Sequence, residues 1–389
     1  MTKTNQKIPE GWSVKKLIDV CPLQRGFDLP EQDIVAGDYP IVYSNGVKGT
    51  HNTYKAKAPG VVTGRSGTIG KVTYVTKDYW PHNTSLWVTD FKGHSPKFIF
   101  YKIQNLKFSK FDSGSGVPTL NRNDVHIERI LLPPLCEQEK IAEILGTWDT
   151  AIEKLSALIE QKKRLKKGLM QRLLTGNIRF SKSTYPWKKI KLIEIGSTYT
   201  GLSGKNKDDF GKGAKFIPYM NIYQNNKIDL NFLENVEILP NETQNTVQYG
   251  DIFFTTSSET PEEVGFSSVL LTKINYPLYL NSFCFGFRLN DFNTLIPEYA
   301  VYLFRSKQVK KIMYKLAQGA TRFNLSKNEL MKQKIYIPTD ISEQRAIADI
   351  LSKADEEITL LTRKLSALKT QKTGLMQKLL TGQIRVKVA

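Results

Sequence analysis

Apolar residues recur in alternating steps of four and three along two separated stretches of the chain. In the first they fall at Ile141, Leu145, Trp148, Ile152, Leu155 and Ile159, then at Leu169 and Leu173. In the second they fall at Ile347, Leu351, Ala354, Ile358, Leu361, Leu365, Leu368, Leu375 and Leu379. That spacing is a heptad seam and predicts one long helix in each stretch. Neither stretch contains proline, and each ends at a glycine, Gly176 or Gly382, where a left-handed residue would stop a helix. Asp340-Ile-Ser-Glu343 reads as a capping box at the start of the second. About 34 residues at a rise of ~1.5 Å would make each helix roughly 50 Å long. The seam is impure: Lys162, Lys166 and Lys372 stand at core-register positions, where solvent, a partner or DNA are all open alternatives. Outside these stretches, residues 12–133 and 187–338 alternate short β-type runs with turn signals, as in Pro40–Gly46, Gly70–Val75 and Gly250–Thr256. Short helices are expected over 97–108, 298–317 and 326–332.

The two patterns are copies. Residues 137–180 and 343–386 align without a gap at an offset of 206, with about half the positions identical, and Gly168–Gly176 against Gly374–Gly382 is nearly perfect. The repeat extends upstream: Trp12 matches Trp187, Gly60 matches Gly250, Tyr101 matches Tyr302, and Pro133 matches Pro338. The offset climbs from 175 to 205, so the second copy carries thirty extra residues in its middle. A tandem duplication whose helices stay alike while its middles diverge suggests one job done twice by the helices, and two different jobs of one kind by the middles. A seam on each helix invites an antiparallel pairing of the two, with pseudo-twofold symmetry; the alternative is that each helix packs on its own domain. The expected class is α/β (α+β): a first mixed domain over 1–135, a long helix over 136–180, a second mixed domain over 181–340, and a long helix over 341–389.

Charge narrows the partner. The 56 Lys and Arg against 37 Asp and Glu give a formal net charge of +19, which favours a polyanion, nucleic acid being the commonest. The three cysteines and four histidines show no metal or disulfide spacing. The polar start and the lack of a long apolar run point to the cytoplasm and away from a membrane.

Several loops combine glycine, hydroxyls, amides and a cation, the groups that approach phosphates closely or read base edges. In the first domain the candidate DNA-binding residues are Ser44, Asn45, Lys48, Arg65, Ser66, Thr68, Lys71, Ser115, Thr119, Asn121 and Arg122. In the second they are Asn221, Thr256, Ser257, Ser258, Gln318, Thr321, Arg322 and Asn324. The cluster Lys162–Lys167 is either a phosphate track, a partner face or a solvated helix face. Gly64–Lys71 misses the phosphate-loop pattern, with five residues between Gly64 and Gly70 and Val72 where a hydroxyl is needed. Glu259, Glu262 and Glu263 fall on a turn rich in proline and glutamate rather than in a nuclease cluster. No catalytic or metal-binding residue is assigned. The rival readings are an enzyme in its own right, which lacks a motif, and a coiled-coil scaffold, which leaves the diverged basic domains without a purpose.

The twice-present pattern E-Q-x-x-I-A-x-I-L…G-L-M-Q-[RK]-L-L-T-G-x-I-R resembles the conserved regions of type I restriction–modification DNA-specificity subunits. Ile130-Leu-Leu-Pro133 and Ile335-Tyr-Ile-Pro338 fit the usual end of a target-recognition domain. The resemblance covers nearly the whole chain. It implies a non-catalytic subunit whose two domains each read one half of a bipartite, asymmetric site in double-stranded DNA. The helices would pair antiparallel, set the gap between half-sites, and dock two modification (methyltransferase) subunits. Restriction (endonuclease/translocase) subunits would join, or be missing from a complex that only methylates. Cofactors, namely S-adenosylmethionine, ATP and magnesium, would belong to those partners and none to this chain.

Overall fold

The computed structural model describes residues 8–106, 108–111, 118–180, 185–319 and 321–387. The chain divides into two compact units, residues 1–157 with 363–389, and residues 158–362. This partition differs from four consecutive blocks. The division falls inside each long helix, Leu135–Leu173 and Ile341–Leu380, so neither helix is a domain of its own.

The first unit holds a four-stranded antiparallel sheet in the order Leu23–Arg25, Ser85–Val88, Gly60–Gly64, Val72–Val75. A three-stranded sheet follows the order Gly46–His51, Tyr39–Tyr43, Trp80–Pro81. The entering strand Ser13–Lys16 pairs with the leaving strand Arg129–Leu132, from Ser13 opposite Leu132 to Lys16 opposite Arg129. The second unit repeats this plan: Gly196–Thr200, Cys284–Leu289, Ile252–Thr255, Ser267–Val269 in the four-stranded sheet, and Trp187–Lys191 on Lys334–Pro338 at the base. It adds a small sheet of Ser257–Ser258, Phe323–Leu325 and Ala317–Gln318. The helix expected over 298–317 is two helices, Pro297–Leu303 and Lys307–Leu316. Ser306 breaks the run by taking an extended conformation and accepting a hydrogen bond from the Val309 amide (3.4 Å).

Both helix-pairing alternatives hold, each for half of a helix. The start of the first helix packs on its own domain, with Ile141 and Leu145 buried among Leu17, Phe98 and Tyr101. Buried beside them are Leu379 and Leu380, from the end of the second helix. In the other unit, Ile347 and Leu351 are buried with Leu173 and Leu174, from the end of the first helix. Each domain core is therefore completed by the helix end of the other copy. At roughly 25 cal/mol per Å², burying two leucines contributes about 3–6 kcal/mol to each core.

The pairs across the helices run antiparallel in both units. In the first, Lys372 reaches Asp149 and Arg385 reaches Glu137; in the second, Lys166 reaches Asp355 and Arg179 reaches Glu343. The lysines at seam register are thus interhelical ion-pair partners, and Lys162 joins them with a 2.7 Å pair to Glu357. Between the buried ends, Trp148, Ile152, Leu155, Ile358, Leu361, Leu365 and Leu368 are half-buried, while Ile159 is buried. Gly176 and Gly382 end the helices with φ of 74° and 71°, as the sequence leads one to expect.

Candidate nucleic-acid interface

In the first unit four loops meet at one edge of the sheets. Gly64 makes the meeting possible: a Cβ there would lie 1.7 Å from the Thr68 carbonyl oxygen and 2.9 Å from that of Ser44. The loop that follows is held on both sides. The Arg65 and Ser66 amides donate to the Thr84 carbonyl (2.9 and 3.1 Å), the Gly67 amide donates to Pro118 (3.0 Å), and the Leu120 amide donates to Arg65 (2.8 Å). Ser66 forms a β-bridge with Thr119, and the Ser44 amide donates to Thr84 Oγ1 (3.3 Å). Lys71 donates from Nζ to the Asn45 carbonyl. The sequence-predicted Ser44, Asn45, Arg65, Ser66, Thr68, Lys71 and Thr119 are therefore brought together. The Arg65 side chain is half-buried, and Thr68 and Lys71 are exposed.

The remaining first-domain candidates sit apart or differ in role. Lys48 is exposed on the strand Gly46–His51. Asn121 caps the short helix Arg122–His126, its Oδ1 accepting from the Asn123 amide (3.0 Å), and Arg122 is exposed in that helix's first turn. Ser115 lies outside the described residues. Sequence reasoning missed the floor of this cluster. His82 packs on Tyr43 with ring centroids 4.1 Å apart, and its Nδ1 lies 3.0 Å from Thr84 Oγ1. Burial holds the imidazole pKa below its ordinary value, so His82 stays neutral at pH 7.

The second unit builds its cluster at the equivalent place, with different chemistry. Ser257 pairs with Asn324, Ser258 with Phe323, and Gln318 with Asn324, where the first unit, among the described residues, has the Ser66–Thr119 bridge. The Thr256 amide donates to Phe283 (2.9 Å), and the Thr256 carbonyl accepts from Leu325 (2.8 Å). Gly319, at φ 139°, allows the tight approach of Arg322, whose carbonyl oxygen would lie 2.0 Å from a Cβ. Gln318, Thr321, Arg322 and Asn324 are exposed. Beside them lies a cavity of about 330 Å³ lined by Tyr219, Tyr223, Ser257, Glu263, Phe283 and Arg322. The sequence signals for Tyr219, Tyr223 and Phe283 were weak, because single aromatics among turn residues read as core. Asn221 is a correction. It is fully buried, its amide donates to the Asp229 and Phe232 carbonyls (2.8 and 2.6 Å), and its Oδ1 accepts from the Asp229 amide (3.1 Å) and Asn225 (3.2 Å). An amide so satisfied ties a loop together and has no group left for a base.

The Lys162–Lys167 cluster divides by surroundings. Lys162 and Lys166 pair with acids of the second helix, whereas Lys163 and Lys167 line a groove of about 1180 Å³ with Lys307, Lys310, Lys311 and Lys315. Among the described residues no helix is long and apolar enough to cross a membrane.

Comparison with known proteins fits this duplicated arrangement. The type I restriction modification DNA specificity domain matches residues 9–163 and again 185–370. The chain belongs to that family. The specificity subunit of the type I restriction enzyme MjaVIII of Methanocaldococcus jannaschii is 29% identical over 310 residues, covering 75% of this chain and 70% of that one. The EcoKI specificity subunit of Escherichia coli is 22% identical over a 429-residue alignment, covering 97% and 90%. The same fold is seen in the crystal structure of a type I restriction–modification S subunit from M. genitalium. That chain has a TM-score of 0.60 at 17% identity, with 97% of this chain and 98% of that one covered.

Proposed function

We propose that this chain is the DNA-specificity subunit of a type I restriction–modification complex. Each unit reads one half of a bipartite, asymmetric site in double-stranded DNA, and the chain itself carries no catalytic group. The observation that carries the reading is the pair of loop clusters. They occupy equivalent strand ends in two copies of one fold, yet one offers Arg65, Ser66, Thr68 and Lys71 and the other Ser257, Gln318, Thr321 and Arg322. Equivalent placement gives both readers the same approach to a duplex, and different side chains give them different sequences. The net charge of +19 supplies the sequence-independent attraction to phosphates.

The swapped helix ends and their ion pairs make the two helices the natural frame for two modification subunits, which would bring S-adenosylmethionine. Restriction subunits, with ATP and magnesium, would complete the complex. In this reading the helices also fix the gap between half-sites.

The test is the methylation pattern left on DNA when the chain is co-expressed with its modification subunit, read by modification-sensitive sequencing. The expected result is a split, asymmetric motif with methyladenine in both halves. A single continuous motif would mean that only one unit reads DNA, and no motif from a stable complex would overturn the reading.

A further inference from the structure

The second loop cluster contains two acids, Glu259 and Glu263, where a DNA-facing surface would be expected to avoid them, and Glu263 is held by protein hydroxyls. Glu263 lies on the turn 259–263 and lines the 330 Å³ cavity with Arg322 and Phe283, the latter 59% exposed. Its carboxylate is held in place. Tyr223 donates its hydroxyl to Oε1 (2.7 Å), and Ser258 donates to Oε2 (3.2 Å). Tyr223 is itself fixed by stacking on Tyr219 and on Phe266, with centroids 6.0 and 5.1 Å away. The Tyr223 hydroxyl bond, with those from Thr260 and Ser258, holds the carboxyl below the usual carboxylate range, so it is ionised at pH 7.

An ionised carboxylate repels phosphate, so its place here is not explained by backbone contact. A carboxylate has about four acceptor positions and no donor. The hydroxyls of Tyr223, Ser258 and Thr260 take about three of these, which leaves acceptor capacity on a carboxylate that lines the cavity. In the major groove the donors on base edges are the exocyclic amino groups of cytosine and adenine. We propose that Glu263 is a specificity-determining residue of the second unit. Its carboxylate, positioned by Tyr223 and Ser258, accepts a hydrogen bond from the amino group of a cytosine or adenine at one position of the second half-site. A base presenting a keto oxygen there meets the carboxylate acceptor to acceptor and is rejected.

The inference rests on the DNA-reading function proposed above, and one experiment separates the two. The full chain, complexed with its modification subunit, selects from a library of random-sequence duplexes. Selection is repeated with Glu263→Gln, which keeps the shape and adds a donor, and with Glu263→Ala, which removes the contact. The native complex should require cytosine or adenine at one position of the second half-site. Both variants should relax that position by roughly 5- to 150-fold, the worth of one good base contact, and leave the first half-site unchanged. Selection of an unchanged sequence by the variants overturns the proposal. So does a disturbance spread over several positions, which is what a merely loop-shaping residue would give. If the native complex selects no two-part sequence, the underlying reading fails instead.

Discussion

Lys102 is a buried cation in the first unit, 7% exposed, with Nζ donating to the Leu380 carbonyl at 2.7 Å. It caps the end of the second long helix from a helix of the first domain, a favourable place for a cation. Burial nevertheless dominates and pushes its pKa down to about 8 from the ordinary 10.5 of a lysine. Between those values the unfolded chain binds the proton and the folded one does not, so this group's contribution to stability rises with pH across that window. Below pH 8 both states are protonated and the burial penalty is present in full. Against Lys102→Met, the native chain should therefore gain relative stability as pH rises from 7 to 9.5. The slope should approach 1.4 kcal/mol per pH unit once pH 8 is passed. Denaturant titrations of both proteins at several pH values measure the gap, and a gap independent of pH would show that Lys102 is not buried as a cation. Single residues of this sort are the least legible part of the sequence. Lys102 reads as one lysine in a short helix, because its partner lies 278 positions away in the other copy. Glu137 and Gln138 have the same problem. Both are buried, Glu137 accepting from Trp12 (2.6 Å) and Arg385 (2.7 Å), Gln138 accepting from the Ser95 amide (3.1 Å) and donating to the Pro133 carbonyl (2.9 Å). Glu343 and Gln344 repeat this with Trp187, Arg179, Ile296 and Pro338. The repeat marks these residues as shared, while the chemistry that keeps them appears only when both copies fold together.

At the scale of elements, the heptad pattern makes the two helices legible, since periodicity records which face is covered, but it understates their length: they run to 39 and 40 residues. What it does not record is the covering partner. The seam lysines show why: a charge at core register contradicts an apolar seam unless an opposite charge arrives from elsewhere. Lys166 and Asp355 have side chains only 20% and 29% exposed, and Tyr302 also donates to Asp355 (3.1 Å). Lys372, Asp149 and Tyr101 repeat the arrangement in the other unit, with Tyr101 donating to Asp149 at 2.6 Å. Such pairs lie between the weak surface limit and the costly buried one. Lys166→Asp should lower stability by about 1–3 kcal/mol through two facing carboxylates. Adding Asp355→Lys should recover at least half of that loss, because the reversed pair restores the attraction. Thermal unfolding of the single and double variants decides the point. A double variant no more stable than the sum of its singles would mean the two side chains do not interact. The loops stand between these extremes. Their composition singles out Arg65, Ser66, Thr256 and Arg322 as candidates, and the fold places them on loops at equivalent strand ends. Composition also picked out Asn221, which turns its amide inward; nothing local distinguishes an asparagine that ties a loop from one that faces out.

For the whole molecule, duplication is the controlling fact. The two middles could diverge, and the second could grow by thirty residues, because each keeps a fixed base strand pair and a fixed helix-end partner. The near-identity of Gly168–Gly176 and Gly374–Gly382 follows from the exchange of helix ends, since each must fit an equivalent cradle in the opposite copy. Two consequences can be tested on assembled complexes. Replacing residues 12–133 by the equivalent span of a relative should change one half of the methylated motif and keep the other. A change in both halves would refute two independent readers. The helices allow a sharper test. Each unit is locked by its own ion pairs and buried leucines, and the division between units falls near residues 157 and 362. One heptad inserted at both places keeps the seam in phase and leaves every pair within each unit untouched. Seven helical residues add about 10 Å, close to three base pairs at ~3.4 Å each. If the helices act as a ruler, the methylated motif should keep both half-site sequences while its gap grows by about three base pairs. An unchanged gap would assign the spacing to the modification subunits instead. A heptad in one helix alone puts the two ends of that helix out of step with partners on the other. That variant should lose stability rather than yield a new gap.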